Sequence, residues 1–538
     1  MSSAIVSTRL RARLGAAVLA VASATAVLVG VAPSASAASS PKPGGSVTYG
    51  LEAETGGGWC PKNAQLAISG IEVGAAIYDT LVVPNTKGQI VPYLAKSIEH
   101  SADYKTWTVT LRDGIKFHDG EALDAAAVVQ NIEAYRSSPL IGAALQDVDT
   151  VTATSPSVVT ITTKVPWVAF DWFLYLDGRM LIEAPAQLTS PDCASDLIGT
   201  GPFKLDHWTV NQELVAVKNP DYWQKDSKGQ KLPYLDKITF KPVAEAGQRV
   251  NSLQGKTLDI IHTSDGQQVD AIEQQASNYN LLKEQPGRRE VRYYLMNVKD
   301  APLNDANARK AVALAIDRNQ INQLRNDGIF TVANGPFDSD VPGYLKNTGY
   351  PKYNLAQAKK LASAYKAAHG GQFSVVLEHT NDPANTAEAE LIKEQLAKAG
   401  IDSTLKQDDQ TAFIAAAVGG NFSILLWRNH PGDDPDVNYQ WWQDGSILNF
   451  GKFVDPQMQT LLDQGRSETD PAKRKQIYQQ VNKQFATQLY NVWAYYAQWV
   501  VAAQKNVQGL MGPPLPDGGG QPLFLYGRHP LLGIYVTK

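Results

Sequence analysis

The stretch Trp107-Thr108-Val109-Thr110-Leu111-Arg112-Asp113-Gly114-Ile115-Lys116-Phe117-His118-Asp119-Gly120 has the clearest local pattern in the chain. Its first five residues alternate large apolar side chains with threonine, and this period of two predicts a half-buried β-strand. Arg112-Asp113-Gly114 predicts a turn, after which Ile115-Lys116-Phe117 continues the alternation, so we predict a hairpin. Asp124 follows at a position where it can cap a helix behind the strands.

The second half of the chain alternates predicted helices and strands. Helical stretches are recognised by apolar residues three or four positions apart, and the strands by short apolar runs. The order helix, strand, helix, strand is typical of a βαβ unit, so we expect a mixed α/β protein of several lobes. The predicted elements are the helices Asn304–Leu324, Leu355–His369 and Thr386–Ala399, the strands Phe373–Leu377 and Ile401–Leu405, and a long helix that begins at Pro471.

Length and composition narrow the class of protein. A chain of 538 residues that is 43% hydrophobic is large enough for about three packing units with real cores. A formal net charge of −4 provides no basic surface for nucleic acid or for an anionic membrane. We therefore expect a globular protein with no nucleic-acid partner.

The N-terminus has the pattern of a secretory signal peptide. Three arginines between positions 9 and 13 precede the apolar stretch Leu14–Val31, and Ala35-Ser36-Ala37 fits a cleavage site. We predict a signal peptide over residues 1–37, followed by a flexible spacer at 38–45. An uncleaved membrane anchor is the alternative, because an apolar stretch of about 18 residues can just span a bilayer. No cysteine lies near the junction, so we expect no lipid anchor.

Cys60 and Cys193 are the two cysteines of the chain. Export would place them in an oxidising compartment, so we predict a disulfide between them. The alternative is two separately buried thiols. Two cysteines are too few for a zinc ribbon or an iron–sulfur protein.

The chain contains no complete catalytic motif among those with a recognisable sequence pattern. Gly255-Lys256-Thr257 has the end of a phosphate-binding P-loop, but Val250 stands where its first glycine is needed. The chain has no Gly-x-Ser-x-Gly and no His-Glu-x-x-His, and its histidines are not spaced as metal ligands. We predict no catalytic residue, no metal site and no cofactor. A pair of carboxylates for glycoside hydrolysis stays open, since such pairs meet only in the fold.

Aromatic and charged residues gather in the last third of the chain. A predicted strand ends at Trp427, and a loop rich in charge and a second group of aromatic residues follow. Indoles provide stacking area while arginine and aspartate pair with a ligand's carboxylate and ammonium, which favours a binding surface. The alternative is a helix cap at Asp433 and Asp434 with the tryptophans in an ordinary core. The candidate ligand-binding residues here are Trp427, Arg428, His430, Asp433, Asp434, Tyr439, Trp441 and Trp442.

Several stretches together resemble the family 5 extracellular solute-binding proteins, the peptide/nickel-type receptors of ABC importers. The long block Trp107–Gly120 matches the family signature closely, and the shorter blocks occur in the family's order along nearly the whole mature chain. The further stretches that carry the resemblance are Pro43–Val47, Ile77–Leu81, Leu94–Ser97, Ile198–Phe203, Lys218–Trp223 and Ala308–Arg318.

The resemblance implies an α/β, two-lobed periplasmic-binding-protein fold, type II and cluster C-like, with an extra inserted domain and hinge closure around the ligand. Similar proteins bind peptides as an added β-strand between the lobes, where side chains occupy roomy pockets. The implied boundaries are 46–77, 194–285 and 500–538 for the discontinuous domain I, 78–193 for the inserted domain II, and 286–499 for domain III.

The resemblance also assigns positions in the cleft. Trp427 matches the family's cleft tryptophan. Three residues later, peptide binders often carry an aspartate that pairs with the ligand's ammonium, but this chain has His430. Asp433 is then the candidate for that contact, unless the ligand is not a free-amine peptide. Glu54 and Trp59 are first-lobe candidates because they follow the first strand.

The sequence therefore predicts an exported, periplasmic or secreted receptor that is not an enzyme. It would capture an oligopeptide-like ligand as a monomer and deliver it to a membrane permease and its ATPase. An oligosaccharide or a nickel chelate is the alternative ligand within the same fold. A secreted hydrolase and an envelope scaffold or signalling receptor are the alternatives from other classes.

Overall fold

A computed structural model describes residues 41–538 except 56, 57, 62, 65, 139, 140, 430, 431, 433 and 538. The predicted signal peptide at 1–37 and the first part of the spacer lie outside the described residues. None of the helices in the described part is long and apolar enough to cross a membrane.

The described strands are short and most belong to three sheets. In chain order they are β1 (Ser46–Leu51), β2 (Val82–Pro84), β3 (Ile90–Pro92), β4 (Ala95–His100), β5 (Thr106–Leu111), β6 (Val148–Ser155), β7 (Val158–Thr163), β8 (Phe203–Thr209), β9 (Glu213–Lys218), β10 (Lys237–Pro242), β11 (Ile260–Thr263), β12 (Tyr279–Lys283), β13 (Glu290–Met296), β14 (Thr331–Val332), β15 (Ser374–Thr380), β16 (Asp402–Asp408), β17 (Ile424–Asn429), β18 (Asn491–Ala497), β19 (Val500–Gln504), β20 (Val507–Gln508) and β21 (Tyr535–Val536).

Most helices begin after an acidic or amide side chain that accepts a first-turn N–H, because those N–H groups have no partner inside the helix. The helices are α1 (Ile68–Ile77), α2 (Ala125–Arg136), α3 (Ile141–Ala144), α4 (Phe170–Phe173), α5 (Pro185–Thr189), α6 (Ala246–Gln254), α7 (Gly266–Gln274), α8 (Ala306–Ala315), α9 (Arg318–Arg325), α10 (Leu355–Ala368), α11 (Pro383–Lys398), α12 (Gln410–Gly419), α13 (Tyr439–Trp442), α14 (Pro456–Ser467) and α15 (Pro471–Gln488). Short 3₁₀ turns lie at Leu176–Gly178, Ala276–Asn278, Pro435–Asn438 and Pro516–Gly518.

The first lobe is built on a seven-stranded sheet with the strand order β12-β19-β11-β1-β10-β9-β8. The central strand β1 pairs in parallel with β10 and β11 and is buried at Tyr49 and Leu51. Strands from three distant parts of the chain meet here, so this lobe is discontinuous in sequence.

The second lobe is built on a six-stranded sheet with the strand order β14-β18-β13-β17-β15-β16. The predicted βαβ unit is confirmed, since β15 and β16 run parallel with Ser374 opposite Asp402 and α11 between them. The single helix predicted over Asn304–Leu324 is wrong, because Ile316 leaves the helical conformation and Asp317 caps a new helix, α9.

An inserted unit contains the stretch that has the clearest sequence pattern. Strand β5 forms there and lies between β4 and β7 in a four-stranded sheet. The predicted hairpin with Ile115–Phe117 is wrong, because β5 pairs with strands on both sides and Lys116 bridges Ala122 instead. Helix α2 covers the sheet, and Asp124 caps it through a 2.8 Å bond from the Ala127 N–H, as predicted.

Two short segments connect the first and second lobes. Residues 284–289 join β12 to β13, and residues 498–499 join β18 to β19. The segments are bonded to each other, since the Glu284 carboxylate accepts the N–H of Trp499 at 3.1 Å. The two-lobed α/β fold is therefore as predicted, while the residue boundaries of the three domains stay a prediction.

Cys60 and Cys193 lie within bonding distance, with 5.1 Å between their Cα atoms. We expect untreated protein to take up no alkylating reagent and reduced, unfolded protein to take up two groups. Intact-mass measurement before and after reduction checks this. Two alkylated thiols in unfolded but unreduced protein would show the separately buried thiols of the alternative.

Candidate functional site

A cavity of about 1040 Å³ lies where the two lobes and the inserted unit meet. This is the upper end of the range of roughly 300–1,000 Å³ that small-molecule sites occupy, so it can hold a ligand of several residues. Its walls come from the first lobe at Glu52 and Ser264, from the second lobe at Trp427 and Glu388, and from the inserted unit at Ile141.

Four aromatic rings form one wall of the cavity. Trp427, within β17, stacks on Phe413 of α12 with 5.2 Å between ring centroids. Phe450 meets Trp427 edge-on at 5.4 Å and meets Trp441 in the same way at 5.4 Å. All four residues line the cavity, and the two tryptophans are half-buried. This wall can stack against planar or apolar parts of a ligand.

Arg428 connects the two lobes across the floor of the cavity. Its guanidinium pairs with Glu52 at the end of β1 and lies 3.4 Å from the Ser264 hydroxyl. On the other side it lies 3.5 Å from the Glu290 carboxylate and over the ring of Trp499. Burial raises the pKa of Glu290, and the charge of Arg428 opposes that rise.

A second buried ion pair supports the wall next to Trp427. Arg292 of β13 donates to both carboxylate oxygens of Glu388, at 3.3 and 3.1 Å. The hydroxyls of Tyr294 and Tyr495 donate to the same carboxylate. Because every oxygen of Glu388 is occupied, this cluster is best explained as support for β13 and α11.

Four helices begin at the cavity, and an acidic side chain caps each of them. The carboxylates accept first-turn N–H groups and so neutralise the positive helix ends that would otherwise attract anions. The cavity is therefore poorly suited to a polyanionic ligand. The capping residues are Glu245, Asp265, Asp382 and Asp409.

Two buried donors at the end of α9 lack a hydrogen-bond partner in the part of the chain that the structure describes. They are Nε of Arg325 and Nδ2 of Asn326, and both residues line the cavity. Asn326 is 3% exposed and lies near the Tyr495 hydroxyl. A ligand carboxylate could accept from both donors, although the negative charge of Asp265, which interacts with Arg325, would oppose it.

The structure brings part of the predicted site together. Trp427, Arg428, Trp441 and Glu54 line the cavity. Glu54 is held by the Asn211 N–H at 2.7 Å and by the Trp208 indole. Contact of these residues with a ligand stays a prediction.

Other predicted residues lie away from the cavity, which corrects their assignment. Trp442 is 4% exposed and packs in the core against Phe485. Trp59 is 2% exposed and packs against Tyr78. A core position leaves no surface for a ligand.

Tyr439 and Asp434 also have structural partners. The Tyr439 hydroxyl donates to Asp463 at 2.6 Å, and Asp434 holds Arg474 by two bonds of 2.6 Å. Asp434 also caps the turn that begins at Pro435, which is the helix-cap alternative. His430 and Asp433 lie outside the described residues.

Several cavity residues were not predicted from the sequence, among them Glu52, Phe413, Asp177 and Arg325. Glu52 directly follows β1, and a charged residue right after a strand was a usable signal. Asp177 and Arg325 lie in stretches that look ordinary in sequence, so only the fold identifies them.

A metal ion has no obvious site, since no group of three or more His, Cys, Asp or Glu residues in the described ranges is placed to hold one.

Comparison with known proteins settles the family. The sequence profile described as bacterial extracellular solute-binding proteins, family 5 middle, matches residues 89–449, more than half of the chain. The chain belongs to this family. It is thus a substrate-binding protein of the type that serves ABC importers.

The relatives of this solute-binding protein differ in their ligands. It is 28% identical over 373 residues to the nickel-binding periplasmic protein of Escherichia coli K12, covering 65% of this chain and 70% of that protein. It is 28% identical over 436 residues to the probable D,D-dipeptide-binding periplasmic protein DdpA of the same strain, covering 78% and 82%. The structure of AgaA with agropinic acid, from A. tumefaciens R10, matches with a TM-score of 0.80 at 25% identity, covering 92% and 99%.

Proposed function

We propose that this solute-binding protein is exported, captures oligopeptide-like ligands as a monomer between its two lobes, and delivers them to the permease and ATPase of an ABC importer. The predicted signal peptide supports export. The size of the cavity and the relation to a D,D-dipeptide-binding protein support the ligand class.

The observation that carries the proposal is an open strand edge beside the cavity. Strand β15 pairs with β17 only at Leu377↔Ile424 and Glu378↔Leu425. Beyond Leu425, the described residues offer β17 a ladder partner only in β13. Trp427, Arg428 and Asn429 line the cavity, so a peptide can add there as a strand and bond to the main chain.

The chemistry of the cavity fits the ends and the side chains of a peptide. Nε of Arg325 and Nδ2 of Asn326, which have no hydrogen-bond partner among the described residues, suit a terminal carboxylate, and the aromatic wall around Trp427 suits an apolar side chain. A sugar could stack on the aromatic wall but would leave the open edge of β17 and the guanidinium of Arg325 without a partner in the ligand.

Native mass spectrometry of the protein purified from its own host tests the ligand class. We expect masses that match short peptides and leave the protein on denaturation. Bound sugars or a nickel chelate would replace the peptide proposal by its alternatives, and a bound compound that is turned over would favour a hydrolase.

Trp427→Ala tests the site without relying on a host ligand. We expect a loss of roughly 10- to 100-fold in affinity for a pool of defined tetrapeptides, because the wall loses its central ring and the stacking on Phe413. Isothermal titration calorimetry measures it. The control is Tyr353→Ala, an aromatic residue 41% exposed and absent from the cavity lining. Equal binding by both variants would remove Trp427 from the site.

A further inference from the structure

Asp177 is a cavity carboxylate that neither caps a helix nor takes part in an ion pair between the lobes. It lies in the 3₁₀ turn Leu176–Gly178 that follows α4. Its side chain is 8% exposed, and it lines the cavity together with Leu176 and Arg179.

The backbone holds this carboxylate in an uncommon conformation. Leu176, Asp177 and Gly178 have φ of 42°, 56° and 87°, three left-handed residues in a row. A left-handed conformation is unfavourable for a branched residue such as leucine and persists only where the surroundings enforce it. Leu176 is 2% exposed in the core of the inserted unit, and a Cβ on Gly178 would lie 3.0 Å from Ile71. The turn is therefore fixed before any ligand arrives.

The carboxylate has few hydrogen-bond donors. Among the described residues its partner is Nη1 of Arg179, 3.5 Å from Oδ2, and Arg179 also donates through Nε to the Leu66 carbonyl at 3.0 Å. By contrast, the buried Asp338 accepts from Arg289 Nε at 2.8 Å and from three backbone N–H groups. An ionised carboxylate can accept about four hydrogen bonds, so Asp177 has capacity to spare.

We propose that Asp177 binds a cationic side chain of the ligand, an ammonium or a guanidinium, and so makes the receptor prefer ligands that carry one. This rests on the proposed function, in which the cavity is where the ligand binds. A charge-assisted bond in a buried site is worth roughly 10- to 100-fold in affinity.

The pH dependence follows from the surroundings of Asp177. Burial raises the pKa of its carboxyl to about 6, and Arg179 opposes that rise. The other charged or titratable groups nearby are Tyr175, Tyr526 and Glu290 around Arg179, and Arg528, whose Nε faces Gly178. A ligand cation binds the ionised form, so its affinity should rise about tenfold from pH 5 to pH 7 and then level off.

Asp177→Asn tests the proposal, because asparagine has the same shape and tolerates the left-handed backbone. The matched control is Asp517→Asn, since Asp517 also has a left-handed φ of 54°, precedes a glycine and pairs with an arginine, but is 65% exposed and absent from the cavity lining. The probes are tetra-alanine peptides with lysine at each position in turn, their norleucine counterparts, and free L-lysine and L-norleucine.

In wild-type protein and in the control we expect one lysine position to bind 10- to 100-fold tighter than its norleucine counterpart, increasingly so from pH 5 to pH 7. In Asp177→Asn the preference should fall below about threefold at every pH, while binding of the norleucine peptides is kept, which shows that the fold is intact. A preference that survives in Asp177→Asn, or none in the wild type, overturns the proposal. If the wild type binds no peptide, the peptide function fails, and L-lysine against L-norleucine decides on Asp177 by the same criterion.

Discussion

Asp436→Ala is expected to lower the free energy of unfolding by about 3–5 kcal/mol, as removal of one member of a buried ion pair does. Asp436 is fully buried and accepts from Nε of Arg466 at 3.2 Å and from the Trp167 indole at 2.7 Å. The substitution leaves both donors buried without this acceptor.

Because Arg466 is buried, water cannot easily take the place of the lost Asp436 carboxylate. Its side chain is 2% exposed, and its guanidinium lies 3.5 Å from the centre of the Tyr439 ring and 4.1 Å from that of Trp167. It also pairs at 2.6 Å with Asp147, which directly precedes β6 of the inserted unit. The cluster thus joins the inserted unit to the second lobe, and water cannot easily replace the missing carboxylate.

Guanidinium unfolding followed by tryptophan fluorescence measures the change. The matched control is Glu133→Ala, which removes the acid of a pair on the surface of α2, where the side chain is 47% exposed, and should cost less than about 1 kcal/mol. Adding Arg466→Met to Asp436→Ala should recover part of the loss, because it removes the fully buried guanidinium that has lost Asp436, while Asp147, which loses Arg466, is 20% exposed. Fully additive losses would contradict the explanation.

Local structure could be predicted where neighbouring residues decide it, and pairing could not. The alternation from Trp107 to Leu111 correctly predicts β5, because it records which face is buried. The same alternation in Ile115–Phe117 did not show which strand β5 pairs with. In the structure β5 pairs with β4 and β7. Asp317 was a usable cap signal within the helix predicted over 304–324.

The candidate site was most predictable along one strand. Trp427 and Arg428 lie within β17 and line the cavity. Trp441 and Trp442 are adjacent on α13, where consecutive side chains point about 100° apart, so one faces the cavity and the other the core. Asp434 looked available for a ligand because its partner, Arg474, is 40 residues away in sequence. Asp177 could not be predicted as a cavity residue, because its position there depends on the left-handed backbone of the turn, which the sequence around it does not identify.

Arg428→Met is expected to lower the free energy of unfolding at pH 8 by about 2–4 kcal/mol and to weaken peptide binding. Methionine keeps an apolar side chain over Trp499 but removes the charge shared by Glu52 and Glu290. Glu290 is fully buried and Glu52 largely buried, so their negative charges lose the guanidinium that compensates them and joins the lobes.

How the stability loss of Arg428→Met depends on pH distinguishes the loss of its charge from the loss of its packing on Trp499. In the variant the pKa of Glu290 should rise further, because burial already raises it and Arg428 no longer opposes the rise. A carboxyl with a raised pKa in the folded state favours folding at pH values below the ordinary range for glutamate, and that contribution is lost as the pH rises through the folded pKa. The difference between wild type and variant should therefore shrink as the pH falls from 8 to 5. The control is Lys393→Met, which removes the cation of an exposed pair with Glu390 on α11, at 43% and 55% side-chain exposure, and should cost little at any pH. A difference that stays constant from pH 5 to pH 8 would assign the loss to packing on Trp499 and would contradict a charge link between the lobes.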